Sequence, residues 1–193
     1  MMKIDFARGK WDLTDITYAY TWRFEETPVF VQKDGWVENL KNDASPQHYD
    51  NVSILTREKF PFGTRISTRC SFEGDAAPLI TIAKQMDTDS RGVKRYGEYL
   101  EVVLWKNGVN VWRMNFNDGK VTWKKAMGIE FPVAEHEIHT LTVDVLENVL
   151  KIDADGRKMH LYVEGLYPEF HLGLDACEGI QRFYDMTIEK IEG

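Results

Sequence analysis

Apolar and polar residues alternate along most of this chain. The runs are about five to nine residues long, rich in Val, Ile, Thr and aromatics, and are broken by Gly, Asn, Asp or Pro. A period of two marks a half-buried β-strand. The pattern predicts strands near 10–14, 18–24, 28–32, 51–57, 64–72, 78–85, 97–106 and 109–116. It predicts more near 119–124, 138–146, 149–154, 158–164, 169–176 and 182–191. No stretch shows the apolar spacing of a three-turn amphipathic helix. The expected architecture is all-β, two packed antiparallel sheets in one domain over 1–193. Asn107-Gly108 and Asp155-Gly156 each lie between two apolar runs, the strongest short-range hairpin signal. Two longer stretches, 41–51 and 86–97, interrupt the alternation, and loops of that length often serve a site.

The first hairpin assigns residues to faces. With Asn107-Gly108 as a two-residue turn, Trp105 opposes Asn110, Val103 opposes Trp112 and Glu101 opposes Met114. Leu100, Val102, Leu104, Val109 and Val111 form an aliphatic face that belongs to the core. The other face carries Tyr99, Glu101, Val103, Trp105, Asn110, Trp112 and Met114. A wholly solvated face would show Lys, Thr and Glu instead. Aromatic rings stack on the apolar faces of sugars while carboxylates and amides take hydroxyls, so this face suits a carbohydrate or another ring-bearing ligand. Two other readings stay open: a second core beneath loops, and an interface for a protein partner or a second copy. Tyr18, Tyr20, Trp22 and Phe24 alternate on a single face and read as core, while His48 and Tyr49 in 41–51 could overhang the groove.

The second half reads His139-x-Leu141-x-Val143-x-Val145, a short turn, Leu150-x-Ile152, then Asp155-Gly156, with GIQRFYDMTIEKI as an aromatic closing strand. These residues resemble the concanavalin A-like lectin/glucanase superfamily, most clearly over 97–191. The resemblance implies a jelly-roll sandwich whose late strand returns beside the N-terminal one. It also implies a concave face that often holds a glycan, in binding modules and glycoside hydrolases alike. Fold analogy does not establish function.

Glucanases of this fold often carry Glu-x-Asp-x-Glu on one strand. Here the nearest stretch, Glu98-Tyr-Leu-Glu101, puts its two carboxylates on opposite faces. A glycosidase needs a pair about 5–5.5 Å or about 6.5–9.5 Å apart, so Glu101 needs help from another strand. His171 and Asp175 share the side opposite Phe170, Leu172, Leu174 and Ala176 and are the candidates, with Glu178 in the following turn. A carboxylate walled by Trp105 and Trp112 tends toward a raised pKa, which suits a general acid. Catalysis by Glu101 with Asp175 or His171 is therefore the alternative to plain binding. Arg113 falls on the aliphatic side, where Glu98 is the expected ion-pair partner.

Composition narrows the field further. Lys and Arg number 24 against 31 Asp and Glu, a net charge of −7, which disfavours nucleic acid and anionic membrane as partners. MMKIDFARGKWDLTD has no apolar core of a secretory signal, so a cytoplasmic location is expected. Cys70 and Cys177 are too few for a disulfide framework and read as two buried thiols. Asp87-x-Asp89-x-Arg91-Gly92, with Glu98 six further on, nearly fits a calcium loop, but Arg91, Lys94 and Arg95 would repel a cation. No cofactor or metal is predicted. The five histidines have no zinc spacing. Asn51-Val-Ser53 matches a glycosylation sequon and reads as idle.

Overall fold

The alternation folds into two curled, nearly all-antiparallel sheets. In this computed structural model, residues 1–6, 11, 13–21, 29–39, 52–117 and 120–191 are described. In chain order the strands begin with β1 (Met2–Asp5), β2 (Ile16–Thr21), β3 (Phe30–Gln32), β4 (Val37–Asn39) and β5 (Val52–Thr56). Next come β6 (Phe60–Pro61), β7 (Thr64–Glu73), β8 (Ala77–Ala83), β9 (Asp87–Thr88) and β10 (Lys94–Tyr96). Then follow β11 (Tyr99–Trp105), β12 (Gly108–Asn117), β13 (Lys120–Glu130), β14 (His139–Leu146) and β15 (Val149–Ala154). The last are β16 (Arg157–Tyr162), β17 (Glu169–Cys177), β18 (Ile180–Phe183) and β19 (Asp185–Lys190). One sheet runs β16-β15-β14-β7-β18-β4-β3, with β19 also on β7 and β1 on β19. The other runs β13-β12-β11-β8-β17-β5-β2-β10-β9, with β6 on β17. The return of β19 beside β1, Met2 opposite Ile188, is the closing strand the resemblance implied.

The core lies between the sheets. Leu100, Val102, Leu104, Val109 and Val111 are buried against Leu141, Val143, Val145, Leu150 and Ile152. Burying such side chains contributes about 1.5–3 kcal/mol each. The Asp155-Gly156 turn has both residues at positive φ, 51° and 83°, and joins Ala154 to Arg157 as predicted. The first hairpin departs from expectation. Trp105 pairs with Gly108, Val103 with Asn110 and Glu101 with Trp112, so Lys106-Asn107 make the turn. The offset is even, so every side chain keeps its predicted face. Gly108 has φ 127°, and a Cβ there would collide with the Ile129 carbonyl on β13. Gly108 therefore belongs to the ladder and not to the loop.

Other boundaries moved as well. Residues 11, 13 and 14 are not strand, and β1, β4 and β6 arise where none was expected. The stretch 86–97 contains β9 and β10. The predicted strand 182–191 breaks at Tyr184, where the Asp185 carboxylate accepts the Arg69 backbone N–H at 2.9 Å in place of a ladder carbonyl. Trp22, Phe24, His48, Tyr49 and Asn51 lie outside the described residues.

Curling of the second sheet decides what remains of its outer face. β10 and β11 stand five places apart in the strand order, about 24 Å on a flat sheet. Only Gly97 and Glu98 link them, a reach of about 11 Å. The sheet must therefore roll until β10, carried on β2 in a parallel pairing, lies over the face near the start of β11. Tyr96 is delivered onto that face and is fully buried there.

Candidate functional site

The rolled sheet divides its concave face into a covered half and an open half. In the covered half Tyr99 and Met114 pack with Tyr96, Ala19, Leu55 and Ala83 as a second apolar cluster. Tyr99 and Met114 were expected to contact ligand. They are 1% and 2% exposed and cannot do so. Here the second-core reading applies, and its cause is Tyr96, whose ring meets Tyr99 edge-on at 4.8 Å between centroids.

The open half is a groove of about 310 Å³. Its floor is Ala77, Leu79 and Val103, a small apolar cluster joined by Trp105, Trp112 and Cys177. Glu101, Asn110 and Trp123 line it as well, and Asp75 and Glu178 stand at its rim. Trp105, Trp112 and Trp123 come from three adjacent strands, β11, β12 and β13. Lys125, opposite Trp112 across β12 and β13, holds its ammonium 5.8 Å from the centre of the Trp112 ring. Such a contact is a cation–π pair. Trp105, Asn110 and Trp112 thus stand where the sequence put them, around one cavity.

Glu101 shares no register row with Asp175 or His171. The face row through Glu101 reads Gly173, Thr81, Glu101, Trp112, and the row through Asp175 reads Asp175, Leu79, Val103, Asn110. Strand β8 separates Glu101 from both other residues, a lateral backbone gap of about 9.6 Å. Asp175 is fully buried and accepts the Tyr96 hydroxyl at 3.0 Å, and that hydroxyl also lies 2.5 Å from Ser53 Oγ. His171 donates from Nδ1 to the Thr56 carbonyl at 2.8 Å, and burial lowers its pKa, which keeps the ring neutral. Thr81 and Trp112 flank Glu101 across the strands, and Tyr99 and Val103 along its own. None of these neighbours is an acid.

Sequence reasoning missed Asp75, Trp123 and Cys177. Trp123 carried a readable signal: it alternates with Val121 on the strand predicted over 119–124, beside the hairpin. Cys177 was expected to be buried, but it is half-exposed on the groove wall, whereas Cys70 is buried in the core. Asp75 and Glu178 sit in turns, where alternation says nothing about direction.

The Glu178 turn is held firmly. Glu178 and Gly179 have φ of 57° and 70°. Asn39 donates to the Gly179 carbonyl at 2.8 Å and accepts the Gln181 N–H at 2.7 Å. Gln181 donates its side-chain amide to the Cys177 and Glu178 carbonyls. Partial burial and the nearby Asp75 charge raise the Glu178 pKa above its ordinary 4.5. Asp75 is held low by the Lys106 ammonium, 2.6 Å away. A carboxyl raised on folding costs stability above its ordinary value, and the cost vanishes when both states are protonated. Glu178→Gln is expected to raise the melting temperature at pH 7 by about 1 °C, since Glu178 is largely solvated. The gain should disappear at pH 4; thermal scans at the two pH values check it.

One further expectation is corrected. Arg113 donates to the Glu164 carbonyl at 2.8 Å, while Glu98 pairs with Lys84 at 2.5 Å. In the loop resembling a calcium site, Asp89 accepts the Arg91 and Val93 N–H groups at 2.8 and 3.0 Å and the Arg95 guanidinium at 3.2 Å. Burial opposes but does not outweigh these bonds, which pull its pKa down to about 2. Those contacts use the carboxylate to tie β9 to β10. Among the described residues no group of three or more His, Cys, Asp or Glu could hold a metal ion.

No protein-family model matches the chain, and no curated protein matches it in sequence. Solved structures do resemble it. A carbohydrate-binding module, CBM66, from Bacillus subtilis superposes with TM-score 0.62 at 12% identity, covering 85% of this chain and 92% of that one. A Bacillus licheniformis β-glucanase gives 0.62 at 12%, covering 98% and 97%. β-Agarase A from Zobellia galactanivorans gives 0.68 at 9%, covering 98% and 90%. At such identities the likeness is one of fold, and with the sheet order above it shows that this chain has the concanavalin A-like lectin/glucanase fold, a jelly-roll sandwich.

Proposed function

We propose that this protein binds carbohydrate in the groove of Trp105, Trp112 and Trp123. The observation that carries the reading is three tryptophans on three adjacent strands facing one cavity, with Glu101, Asn110, Asp75 and Glu178 around them. Indole faces offer stacking surface to sugar rings, and the carboxylates and amide offer hydroxyl partners. The structural neighbours are carbohydrate-binding modules and glycoside hydrolases, which supports the same chemistry. Binding is favoured over hydrolysis because Asp175 is fully buried on the Tyr96 hydroxyl and His171 is held on the Thr56 carbonyl. The grouping of carboxylates, amide and three indoles serves recognition.

A thermal-shift screen with mono-, oligo- and polysaccharides tests this. A sugar at a hundred times its Kd should add about 2.7 kcal/mol, a rise of roughly 5–10 °C for a chain of this size. Trp112→Ala should weaken that sugar about thirty-fold, equivalent to about 2 kcal/mol. No shift with any sugar would reject carbohydrate and favour a protein-interaction role for the same aromatic face. Product release that stops in Glu101→Gln would show the chain to be an enzyme.

A further inference from the structure

We infer that the sugar taken by this groove carries a protonated amine, and that Glu178 receives it. The inference rests on the carbohydrate reading above and names the class of sugar. Three carboxylates line the groove, those of Asp75, Glu101 and Glu178, and among the described residues no Lys, Arg or His lines it. Two ammonium groups beside it are already engaged, Lys106 with Asp75 at 2.6 Å and Lys125 with the Trp112 ring at 5.8 Å. The Glu178 carboxylate has neither hydrogen bond nor ion pair among the described residues. Its backbone, by contrast, is tied down. Gln181 and Asn39, 0% and 4% exposed, bond the Glu178 and Gly179 carbonyls. Glu178 takes a left-handed φ of 57° there, which Asn or Asp adopts more readily; the comparable turn at 155–156 has Asp155. The fold thus presents one unengaged carboxylate, on a rigid turn, at the rim of an indole-lined cavity.

A sugar hydroxyl can donate to that carboxylate, but an ammonium gains more from every wall. Its attraction to Asp75 and Glu178 adds at short range and is screened by salt. Indole is the aromatic ring that attracts a cation most, and Trp112 already holds one in Lys125. Burial and the Asp75 charge keep the Glu178 pKa above its ordinary 4.5, so a cation against it relieves a repulsion that a neutral sugar leaves in place. A uronate or a sulfate would add a further anion to three and is disfavoured by the same field. The net charge of −7 acts in the same direction at longer range.

Calorimetric titration of the intact protein at pH 6.5 tests this. The probes are gluco-, galacto- and manno-oligosaccharides of equal length, each with an amine, an N-acetylated amine or a hydroxyl at C2, together with the corresponding uronates. In the series that binds, the amine form should be about tenfold tighter than the hydroxyl form, equivalent to about 1.4 kcal/mol, and the uronate weakest. In 0.5 M NaCl the amine advantage should fall below about threefold. Glu178→Gln should remove about fivefold of it and move the hydroxyl form by less than about twofold. Parity among the forms, binding confined to neutral or acidic sugars, or an amine advantage untouched by salt or by Glu178→Gln overturns this inference and leaves the carbohydrate reading standing. Absence of binding to every sugar overturns the carbohydrate reading, and the amine assignment falls with it.

Discussion

Gly173→Ala should unfold this protein more readily than any substitution in the groove. Gly173 lies on β17 between β5 and β8, opposite Leu55 on one side and Thr81 on the other. A Cβ at this position would be driven into the Ile54 backbone carbonyl and crowd the Leu55 side chain at 2.8 Å. A flexible side chain could swing away, but a carbonyl in the ladder cannot move without breaking the pairing of β5 with β17. Overpacking into movable neighbours costs about 1–3 kcal/mol. Against fixed backbone the expected loss is about 4 kcal/mol or more, a fall in melting temperature of roughly 10 °C or failure to fold. Gly156→Ala is the control. Its φ is 83° and a Cβ there meets nothing within 4 Å, so only the backbone preference is lost, about 1 kcal/mol. Equal melting temperatures for the two variants would refute the close approach of β5 and β17.

The contrast also marks what the sequence could disclose. Alternation has period two, so it sorted Leu100, Val102, Val109 and Val111 from Glu101, Trp105 and Trp112 without knowing the register. An even slip in pairing left those faces intact, and the slip arose because Gly108 is needed beside the Ile129 carbonyl, a contact between strands that no dipeptide rule sees. The groove was legible to that extent. Its closure was not. Tyr96 lies in a stretch that reads as a loop, and its role depends on a parallel pairing with β2, seventy-five residues away along the chain. Likewise Asp175 shares a face with Glu101 by alternation, yet it turns to the Tyr96 hydroxyl, which Ser53 also meets. Period two fixes which side of a sheet a residue takes; curvature fixes what it meets there.

The motif behind the fold resemblance leads to the second large effect. His139 and Asp155 are sixteen residues apart and carried no chemical explanation in the sequence. In the structure the Asp155 carboxylate reaches the His139 Nδ1 at 2.6 Å and accepts the Thr140 N–H at 2.8 Å. The far nitrogen of His139 lies 2.7 Å from the Ala134 carbonyl, and its ring stacks on Phe72 at 5.9 Å between centroids. One carboxylate at the tip of the β15–β16 hairpin thus pins that hairpin to the start of β14 and to the core. Asp155 also occupies the first left-handed position of its turn, which Asn or Asp adopts most readily after Gly. Asp155→Ala removes the carboxylate from a buried imidazole and from a backbone N–H, and strains the turn as well. Breaking a buried pair costs about 3–5 kcal/mol, and the half-exposed side of Asp155 places the expected loss near the lower figure, roughly 6–12 °C in melting temperature. Asp155→Asn keeps the turn and one acceptor, and should lose about half as much. In a double-mutant cycle with His139→Phe, whose ring can retain the stack on Phe72, the coupling should be about 1 kcal/mol or more. If the two substitutions add without coupling, the pair is not what joins the hairpin to β14, and the turn geometry of Asp155 alone accounts for its presence.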